Sequence, residues 1–361
     1  MFYKKKYLEK VERKRFYSDR ERDKKSLFLD RNEKFTELNP KAKARLLKNI
    51  KKINLGLYPN VEGFYKKLSK WLNLERDNIF ITEGVSGAIK NILECYAVSG
   101  KSNIIFPYPT FALYPVFCKL FNLKQKKISY TKDHQIKFNS LLDSIDKNTA
   151  IVFLPNPNIP IEGNLSRSQI LLLIKKCKKF KVILAIDEVY YPFNDFTFLK
   201  LIKKYKYLLI MRSFSKAYGL AGIRLGYIIG NKEVIKYISK FRGGYETNSA
   251  SITIASFFID NKREVLKYIQ EVKRGLRLFK KLLKLNHLSF VGGNNGNFIY
   301  VILKNKKVAN TIINKLKSKR ILVRGGWPKP YDNGILVTGT TYNNFKKFIK
   351  NFFLIYKKIN Q

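Results

Sequence analysis

The chain has 361 residues, of which 45% are hydrophobic and 14% aromatic, enough apolar material for one large domain and a smaller companion. The formal net charge is +46, from 72 Lys and Arg against 26 Asp and Glu. Because no segment approaches the roughly 18 apolar residues of a membrane span and the start is charged, we expect a cytoplasmic protein without a membrane or secretory segment.

The high positive charge has two interpretations. It is typical of proteins that bind nucleic acid or a membrane surface. The lysines are nevertheless spread over the whole chain alongside abundant Ile, Asn, Phe and Tyr, which favours a general compositional bias with lysines on solvated faces. We therefore expect no dedicated nucleic-acid site, although the charge should attract small anions such as phosphate esters.

Cysteine and histidine usage excludes two further classes of site. Cys95, Cys118 and Cys177 are isolated and odd in number, which indicates a reducing compartment and no disulfide framework. His134 and His287 are far apart and lie in no metal-ligand spacing, so we expect no metal.

Periodicity predicts the elements in chain order. Residues 1–26 are dense in Lys, Arg and Glu, and we interpret them as a charged, solvated N-terminal arm. Helices and short apolar strands alternate after residue 60. The predicted helices are Phe64 to Leu72, Ser86 to Tyr96, Ser166 to Phe180, Lys262 to Leu285 and a terminal helix. The predicted strands are Asn78 to Thr82, Asn103 to Phe106, Ile128 to Tyr130, Ala150 to Leu154, Val182 to Ile186, Tyr207 to Met211, Leu225 to Ile229, Phe298 to Leu303 and Ile335 to Val337.

This alternation predicts an α/β fold. Short, continuously apolar strands separated by helices indicate a large domain with a mostly parallel sheet covered on both faces by helices. The pattern changes after residue 250 to that of a smaller α+β domain. We predict a large domain over residues 51–249 and a small domain over residues 27–50 and 250–361.

Polar side chains follow three of the predicted strands, at the edge of the sheet where binding sites of such folds form. The strand ending at Leu154 is followed by Pro-Asn-Pro-Asn, the next by Asp187-Glu188-Val189-Tyr190, and the third by Ser213-Phe214-Ser215-Lys216. Each group alone is commonly a turn or a cap. As an ordered set at one edge, they predict a single cleft.

The stretch from Ser213 to Gly226 reads Ser-Phe-Ser-Lys-Ala-Tyr-Gly-Leu-Ala-Gly-Ile-Arg-Leu-Gly. It closely resembles the Ser-x-Ser-Lys-x-x-Gly-x-x-Gly-x-Arg-x-Gly pattern of the fold-type-I, pyridoxal-phosphate-dependent aminotransferases of class I/II. Asp187 to Tyr190 resembles their Asp-Glu-Ala-Tyr. The resemblance covers roughly residues 27 to 350 and is strongest to the histidinol-phosphate aminotransferase branch. It implies a seven-stranded-type sheet and pyridoxal 5'-phosphate as cofactor.

The resemblance implies catalytic roles for Lys216, Asp187 and Tyr190. Lys216 would hold the cofactor as a Schiff base and shuttle a proton, which requires a lowered amine pKa. Asp187 would accept a hydrogen bond from the pyridine nitrogen. Tyr190 and Asn158 would hold the phenolic oxygen, with Asn158 preferred over Asn156 because it lies nearer the following Pro160.

The remaining implied contacts belong to the cofactor phosphate, the ring and the substrate. Ser213, Ser215, Arg224 and the strand-to-helix turn at Val85 and Ser86 would bind the phosphate, since backbone N–H groups at a helix N-terminus favour anions. The resemblance implies that Phe111 stacks on the cofactor ring and that Tyr58 reaches into the site of a neighbouring subunit. It also implies that the substrate is contacted by Asn32, Glu33 and Arg324. A homodimer follows from Tyr58.

Two departures from the family pattern affect the substrate. The family's Leu-Arg-Ile-x-x-Gly arginine, which grips a substrate carboxylate, is replaced by Ile335 or Leu336, depending on the alignment. The family's Thr-Gly is replaced by Ile161-Glu162-Gly163, one residue longer. Either Arg324 or a lysine binds the carboxylate from another angle, or the substrate is recognised through a phosphate or a sugar-like group.

Three functions are therefore weighed. The first is a pyridoxal-phosphate-dependent aminotransferase that passes an amino group from a small-molecule donor to a small, phosphorylated or sugar-derived carbonyl acceptor. The second is a decarboxylase of a phosphorylated amino acid, of the phosphoserine or phosphothreonine type, on the same scaffold. The third and weakest is a non-enzymatic polyanion-binding protein, which steep salt-dependent binding to nucleic acid would support.

Overall fold

The computed structural model describes residues 5–11 and 25–360. Its helices are α1 (Pro40–Ile50), α2 (Val61–Leu72), α3 (Gly84–Tyr96), α4 (Leu113–Leu120), α5 (Phe138–Asp143), α6 (Arg167–Phe180), α7 (Lys232–Ile238), α8 (Ser249–Asp260), α9 (Lys262–Leu285), α10 (Lys306–Ser318) and α11 (Tyr342–Asn360). Of the predicted arm, Lys6–Lys10 forms a short 3-10 helix, and residues 1–4 and 12–24 lie outside the described residues. None of the helices in the described ranges has the length and apolar character that a membrane crossing requires.

The strands are β1 (Leu27–Leu29), β2 (Ile79–Thr82), β3 (Asn103–Pro107), β4 (Lys124–Ile128), β5 (Thr149–Pro155), β6 (Ile183–Asp187), β7 (Leu208–Ser213), β8 (Gly226–Gly230), β9 (Phe290–Gly292), β10 (Phe298–Ile302), β11 (Ile321–Val323) and β12 (Gly334–Thr338). Seven of them form one sheet in the order β2-β8-β7-β6-β5-β3-β4. β8 is antiparallel to both neighbours, and the other pairings are parallel. The predicted mostly parallel sheet is confirmed.

The sheet is buried on both faces, which explains the continuously apolar strands. In β6, Leu184 and Ile186 pack into one hydrophobic cluster, and Ile183 and Ala185 pack into a second cluster on the other face. Side chains alternate between the two faces of a strand, so a strand covered on both sides needs apolar residues at every position.

The predicted strand from Ile128 to Tyr130 is wrong in its position. β4 runs over Lys124–Ile128, and Tyr130 only bridges Ile136. β4 lies at the end of the sheet and pairs with β3 alone. Most side chains of β4 are exposed or half-buried, so its Lys-Gln-Lys-Lys sequence lacks the apolar run from which the other strands were predicted.

Two smaller sheets lie outside the large one. β12, β10 and β9 form an antiparallel sheet, and β1 pairs in parallel with β11. β1, the first strand of the chain, thus pairs with β11, which lies near the C-terminus. This pairing agrees with assigning residues 27–50 and 250–361 to one unit, and the two-domain division at residues 51–249 stays a prediction.

Candidate active site

The carboxyl ends of β5, β6 and β7 bring the predicted motifs together. Pro155 is opposite Asp187 in the register of β5 and β6, and Asp187 is opposite Met211 of β7. The motif from Ser213 to Lys216 therefore begins at the same edge as Asp187. The parallel alignment accounts for this convergence, because the ends of parallel strands meet on one side of the sheet.

Lys216 lies half-buried at this edge. Its Nζ donates a hydrogen bond to the backbone carbonyl oxygen of Arg31, at 2.9 Å. Burial lowers the pKa of Lys216 to about 8; Glu33 opposes this change, and the nearby guanidinium groups of Arg224 and Arg324 act with it. A substantial fraction of this amine is therefore neutral, and so nucleophilic, near neutral pH.

Asp187 is 3% exposed, and its carboxylate accepts two hydrogen bonds. One comes from the Tyr114 hydroxyl at 2.7 Å and the other from the Val189 backbone N–H at 3.0 Å. Burial raises the pKa of Asp187 to about 6, against the effect of the Tyr114 hydrogen bond. Within the described residues, Asp187 has no cation at salt-bridge distance. Tyr114 was not predicted as a site residue.

A polar cradle lies where β7 ends, β8 begins and α3 starts. The hydroxyl oxygens of Ser213 and Ser215 are 2.8 Å apart, and both residues are buried. Gly84, the first residue of α3, has a φ of +63°, and a Cβ there would meet a guanidinium nitrogen of Arg224 at 3.1 Å. Val85 and Ser86 follow Gly84 in the first turn of α3. The cradle thus combines two hydroxyls, a guanidinium and a helix N-terminus, all of which favour an anion.

Tyr190 is tied to the first segment of the chain. The Asn32 side chain donates to the Tyr190 hydroxyl at 2.7 Å, and the Thr338 hydroxyl donates to the Asn32 side chain at 3.0 Å. The Asn297 side chain donates to the Asn32 carbonyl oxygen at 3.1 Å. Asn297 and Thr338 were not predicted, because a single Asn before a strand or a single Thr at the end of one carries no motif by itself.

The two asparagines after β5 differ in their surroundings. The Asn158 amide donates to the Pro109 carbonyl oxygen at 2.9 Å and to the Tyr130 hydroxyl, and its oxygen accepts from the Thr110 hydroxyl at 2.6 Å. Asn156 is 6% exposed, and its amide nitrogen has no hydrogen-bond partner in the described part of the chain. The polar atoms of the Asn158 side chain are therefore already hydrogen-bonded to other residues, whereas the Asn156 amide can still donate a hydrogen bond to a ligand.

Phe111 and Tyr58 lie in different environments. The Phe111 ring makes an edge contact with the ring of Tyr114, at 6.1 Å between centroids, and so lies near Asp187. Tyr58 is 79% exposed and stacks on Tyr245 at 4.5 Å. None of the contacts that the described chain gives Tyr58 reaches the Lys216 cluster.

Arg324 lies opposite Leu336, to which it is joined by backbone hydrogen bonds of 3.0 and 2.7 Å. Leu336 shares its face of β12 with Thr338, two residues on, and Thr338 contacts Asn32 of the site. Ile335 lies on the other face. Leu336 is thus the apolar residue on the site face of β12, and this strand supplies no cation there.

Comparisons with known proteins agree with this geometry. Residues 28–334 match the family model described as aminotransferase class I and II. The chain belongs to this family. A histidinol-phosphate aminotransferase from Ruminiclostridium cellulolyticum is 30% identical over 82% of this chain and 83% of its own length. Another, from Caldanaerobacter subterraneus subsp. tengcongensis, is 27% identical over 82% of this chain and 83% of its own length.

Solved structures share the fold of this class I and II aminotransferase. The histidinol-phosphate aminotransferase from Sinorhizobium meliloti, solved in complex with pyridoxal-5'-phosphate, has a TM-score of 0.83 at 17% identity and covers 92% of this chain and 91% of its own. The one from Clostridium acetobutylicum has a TM-score of 0.79 at 22% identity, over 90% and 98%. The predicted fold class is confirmed.

The site fits pyridoxal phosphate, the cofactor of this aminotransferase. Asp187 is a buried carboxylate without an ion-pair partner in the described residues, which a protonated ring nitrogen would supply. The cradle at Gly84 and Arg224 suits a phosphate, and the unpaired Asn156 amide suits an oxygen acceptor. No group of three or more His, Cys, Asp or Glu side chains in the described ranges is arranged to hold a metal ion.

Proposed function

We propose that this aminotransferase passes an amino group between an amino-acid donor and a small carbonyl compound that carries a phosphate. The observation that carries the proposal is the half-buried amine of Lys216, with its pKa lowered to about 8, at the sheet edge that also holds Asp187. The phosphorylated substrate is supported by the relatives at 27–30% identity that are named histidinol-phosphate aminotransferase.

The proposed residue roles follow from the contacts. Pyridoxal phosphate, when bound, supplies a ring that draws electrons from the substrate α-carbon. Lys216 Nζ then moves the proton at that carbon, because its low pKa lets it accept and return a proton near neutral pH. Asp187 holds the ring nitrogen protonated. Tyr190, fixed by Asn32, orients the phenolic oxygen.

The cofactor's other contacts are assigned in the same way. We propose that Ser213, Ser215, Arg224 and the α3 turn at Val85 and Ser86 bind the phosphate, and that Phe111 covers the ring. For the phenolic oxygen, the unpaired Asn156 amide supports Asn156 alongside the predicted Asn158, whose polar atoms already have protein partners. The charges of Glu33 and Arg324 both act on the pKa of Lys216, so both groups lie near it. This supports their predicted contact with the substrate.

We further propose a homodimer. The loop between α1 and α2 exposes three large apolar side chains: Leu55 at 90%, Leu57 at 67% and Tyr58 at 79%. Contiguous exposed apolar residues mark interaction surfaces. A second copy covering this loop would bring Tyr58 to the partner's site.

The predicted cytoplasmic location is supported by the absence of disulfides among the described cysteines.

The other two hypotheses are less well supported. The relatives that match the chain over 82% of its length are named as aminotransferases, which weakens the decarboxylase alternative. Membership of an enzyme family leaves a purely polyanion-binding protein without support. The +46 charge is better explained by lysines distributed over solvated faces.

The test is amino transfer from histidinol phosphate to 2-oxoglutarate by the purified protein, measured as glutamate formed. We expect kcat/KM for histidinol phosphate to exceed that for histidinol by at least about tenfold, since charge-assisted hydrogen bonds to a phosphate are strong. Equal use of both compounds would contradict a phosphate-bearing substrate. Release of carbon dioxide from phosphothreonine without glutamate formation would favour the decarboxylase.

A further inference from the structure

We propose that Arg31 and Arg324 together form the subsite that binds the α-carboxylate of the amino donor. Neither Ile335 nor Leu336 of β12 can bind a carboxylate, so the charge must come from elsewhere. The proposal rests on the aminotransferase function proposed above, and it adds Arg31, to which no pattern in the sequence drew attention.

The pairing of β1 with β11 brings the two arginines to one edge. The strands are parallel, with Leu29 opposite Val323. Arg324 comes directly after Val323, and Arg31 comes two residues after Leu29. Because parallel strands end on the same side, both residues lie at one edge although 293 positions separate them in the sequence. Their side chains are close enough for the charge of Arg31 to act on Arg324.

The subsite lies at the reacting amine. Lys216 Nζ is 2.9 Å from the Arg31 carbonyl oxygen, and Arg324 is one of the cations that act on Lys216. In an amino acid, the carboxylate is bonded to the same α-carbon whose proton the lysine moves. A carboxylate-binding group therefore has to lie near Lys216. Arg324 meets this condition directly, and Arg31 meets it through its backbone contact with Lys216 and through its guanidinium, whose charge acts on Arg324.

The guanidinium groups are available to a ligand. Arg324 is half-buried and lies over the Trp327 ring at 4.4 Å, and its guanidinium makes no hydrogen bond within residues 5–11 and 25–360. Arg31 is 43% exposed; its Nε lies 3.4 Å from Asp30, and its two terminal nitrogens make no hydrogen bond to the described residues. A half-buried cation without a hydrogen-bond acceptor is costly, and a bound carboxylate would remove that cost.

Two acidic groups, Asp30 and Glu33, lie near the pair. Asp30 contacts only the Nε side of Arg31, which leaves the paired terminal nitrogens for a ligand, and Glu33 acts on Lys216. Burial lowers the pKa of Arg324, and the positive charge of Arg31 adds to this effect while Asp30 and Tyr190 oppose it. An anion between the two guanidinium groups would relieve their mutual repulsion.

The experiment compares two donors that differ in one group. L-glutamate carries the α-carboxylate, and L-isoglutamine carries an amide in its place. Cofactor-loaded protein is mixed with each donor, and the absorbance change of the first half-reaction gives kcat/KM. We expect wild-type protein to prefer L-glutamate by about 10- to 100-fold, and Arg31→Gln and Arg324→Gln each to reduce this preference by about tenfold. Arg167→Gln, at an exposed arginine of α6, should leave the preference unchanged.

The outcomes separate the two proposals. If wild-type protein accepts no amino group from either donor, the proposed function fails before any variant is made. If wild-type protein reacts with both donors equally, or if Arg31→Gln retains the full preference, the subsite is wrong while the aminotransferase function stands. Arg31→Lys keeps the charge and should retain part of the preference, which distinguishes lost binding from a misfolded variant.

Discussion

At the scale of single residues, the proposed chemistry depends on the protonation state of Lys216. With a pKa of about 8, roughly a tenth of its amine is neutral at pH 7, whereas a lysine with the ordinary pKa of 10.5 would be neutral roughly 300-fold less often. Burial is the main cause, and the two arginines next to it act in the same direction. A nucleophilic lysine thus results from its position and not from its residue type.

This predicts the pH dependence of cofactor uptake. Because only the neutral amine reacts with an aldehyde, the rate at which cofactor-free protein takes up pyridoxal phosphate should rise with pH and level off above about pH 8. Glu33 raises the pKa of Lys216, so Glu33→Gln should move the midpoint to lower pH. The measurement is the absorbance of the bound cofactor against time. A rate that still climbs above pH 10 would contradict a lowered pKa.

At the scale of elements, the loop between β9 and β10 is held by Glu162. Its carboxylate accepts hydrogen bonds from the backbone N–H groups of Asn294, at 3.2 Å, and Asn295. Gly292 has a φ of +94°, and a Cβ there would lie 2.9 Å from a Glu162 carboxylate oxygen. The loop leads into Asn297, which binds the Asn32 backbone beside Tyr190. Glu162 therefore connects the segment after β5 to the loop that leads into β10, next to the residues proposed for the substrate side.

We expect Glu162→Ala to lower the free energy of unfolding by about 2–4 kcal/mol, because two backbone donors lose a charged acceptor in a buried site. Thermal unfolding measures the change. The loop should also loosen around Asn297, so the KM for the donor should rise more than kcat falls. Glu62→Ala, which removes an exposed carboxylate paired with Arg76 at 3.3 Å, serves as the control and should change stability by less than about 1 kcal/mol. An unaltered melting temperature in Glu162→Ala would contradict the role of this contact.

At the scale of the whole molecule, the exposed loop of Leu55, Leu57 and Tyr58 predicts the oligomeric state. Replacing Leu55 and Leu57 by Asp should convert a dimer to the 42.3 kDa monomer, because two buried carboxylates in an apolar interface cannot be solvated. Analytical ultracentrifugation measures the mass. Leu172→Asp, at a half-exposed position of α6, is the matched control. A wild-type protein that sediments as a monomer would exclude the interface and the proposed role of Tyr58 in a partner's site.

Sequence alone predicted the parts of the molecule that local patterns specify. The continuously apolar strands from β5 to β7 were found because burial on both faces requires apolar residues at every position. The site motifs at Asp187 and Lys216 were found because they follow those strands directly. β4 was misplaced because its side chains are mostly exposed or half-buried and include no apolar run, and β1 was missed because three residues carry little periodic signal.

The sequence determined the fold class and the family and predicted the positions of the cofactor-binding motifs, because each depends on residues close together in the chain. The tertiary structure decided which side chains still have unsatisfied polar atoms or unpaired charges. The neighbouring position of Arg31 and Arg324, the unpaired Asn156 amide and the contact of Glu162 with residues 294–295 all join segments more than a hundred positions apart or depend on which partners are already taken. Burial and hydrogen-bond competition are properties of the folded molecule, so no local pattern could have specified them.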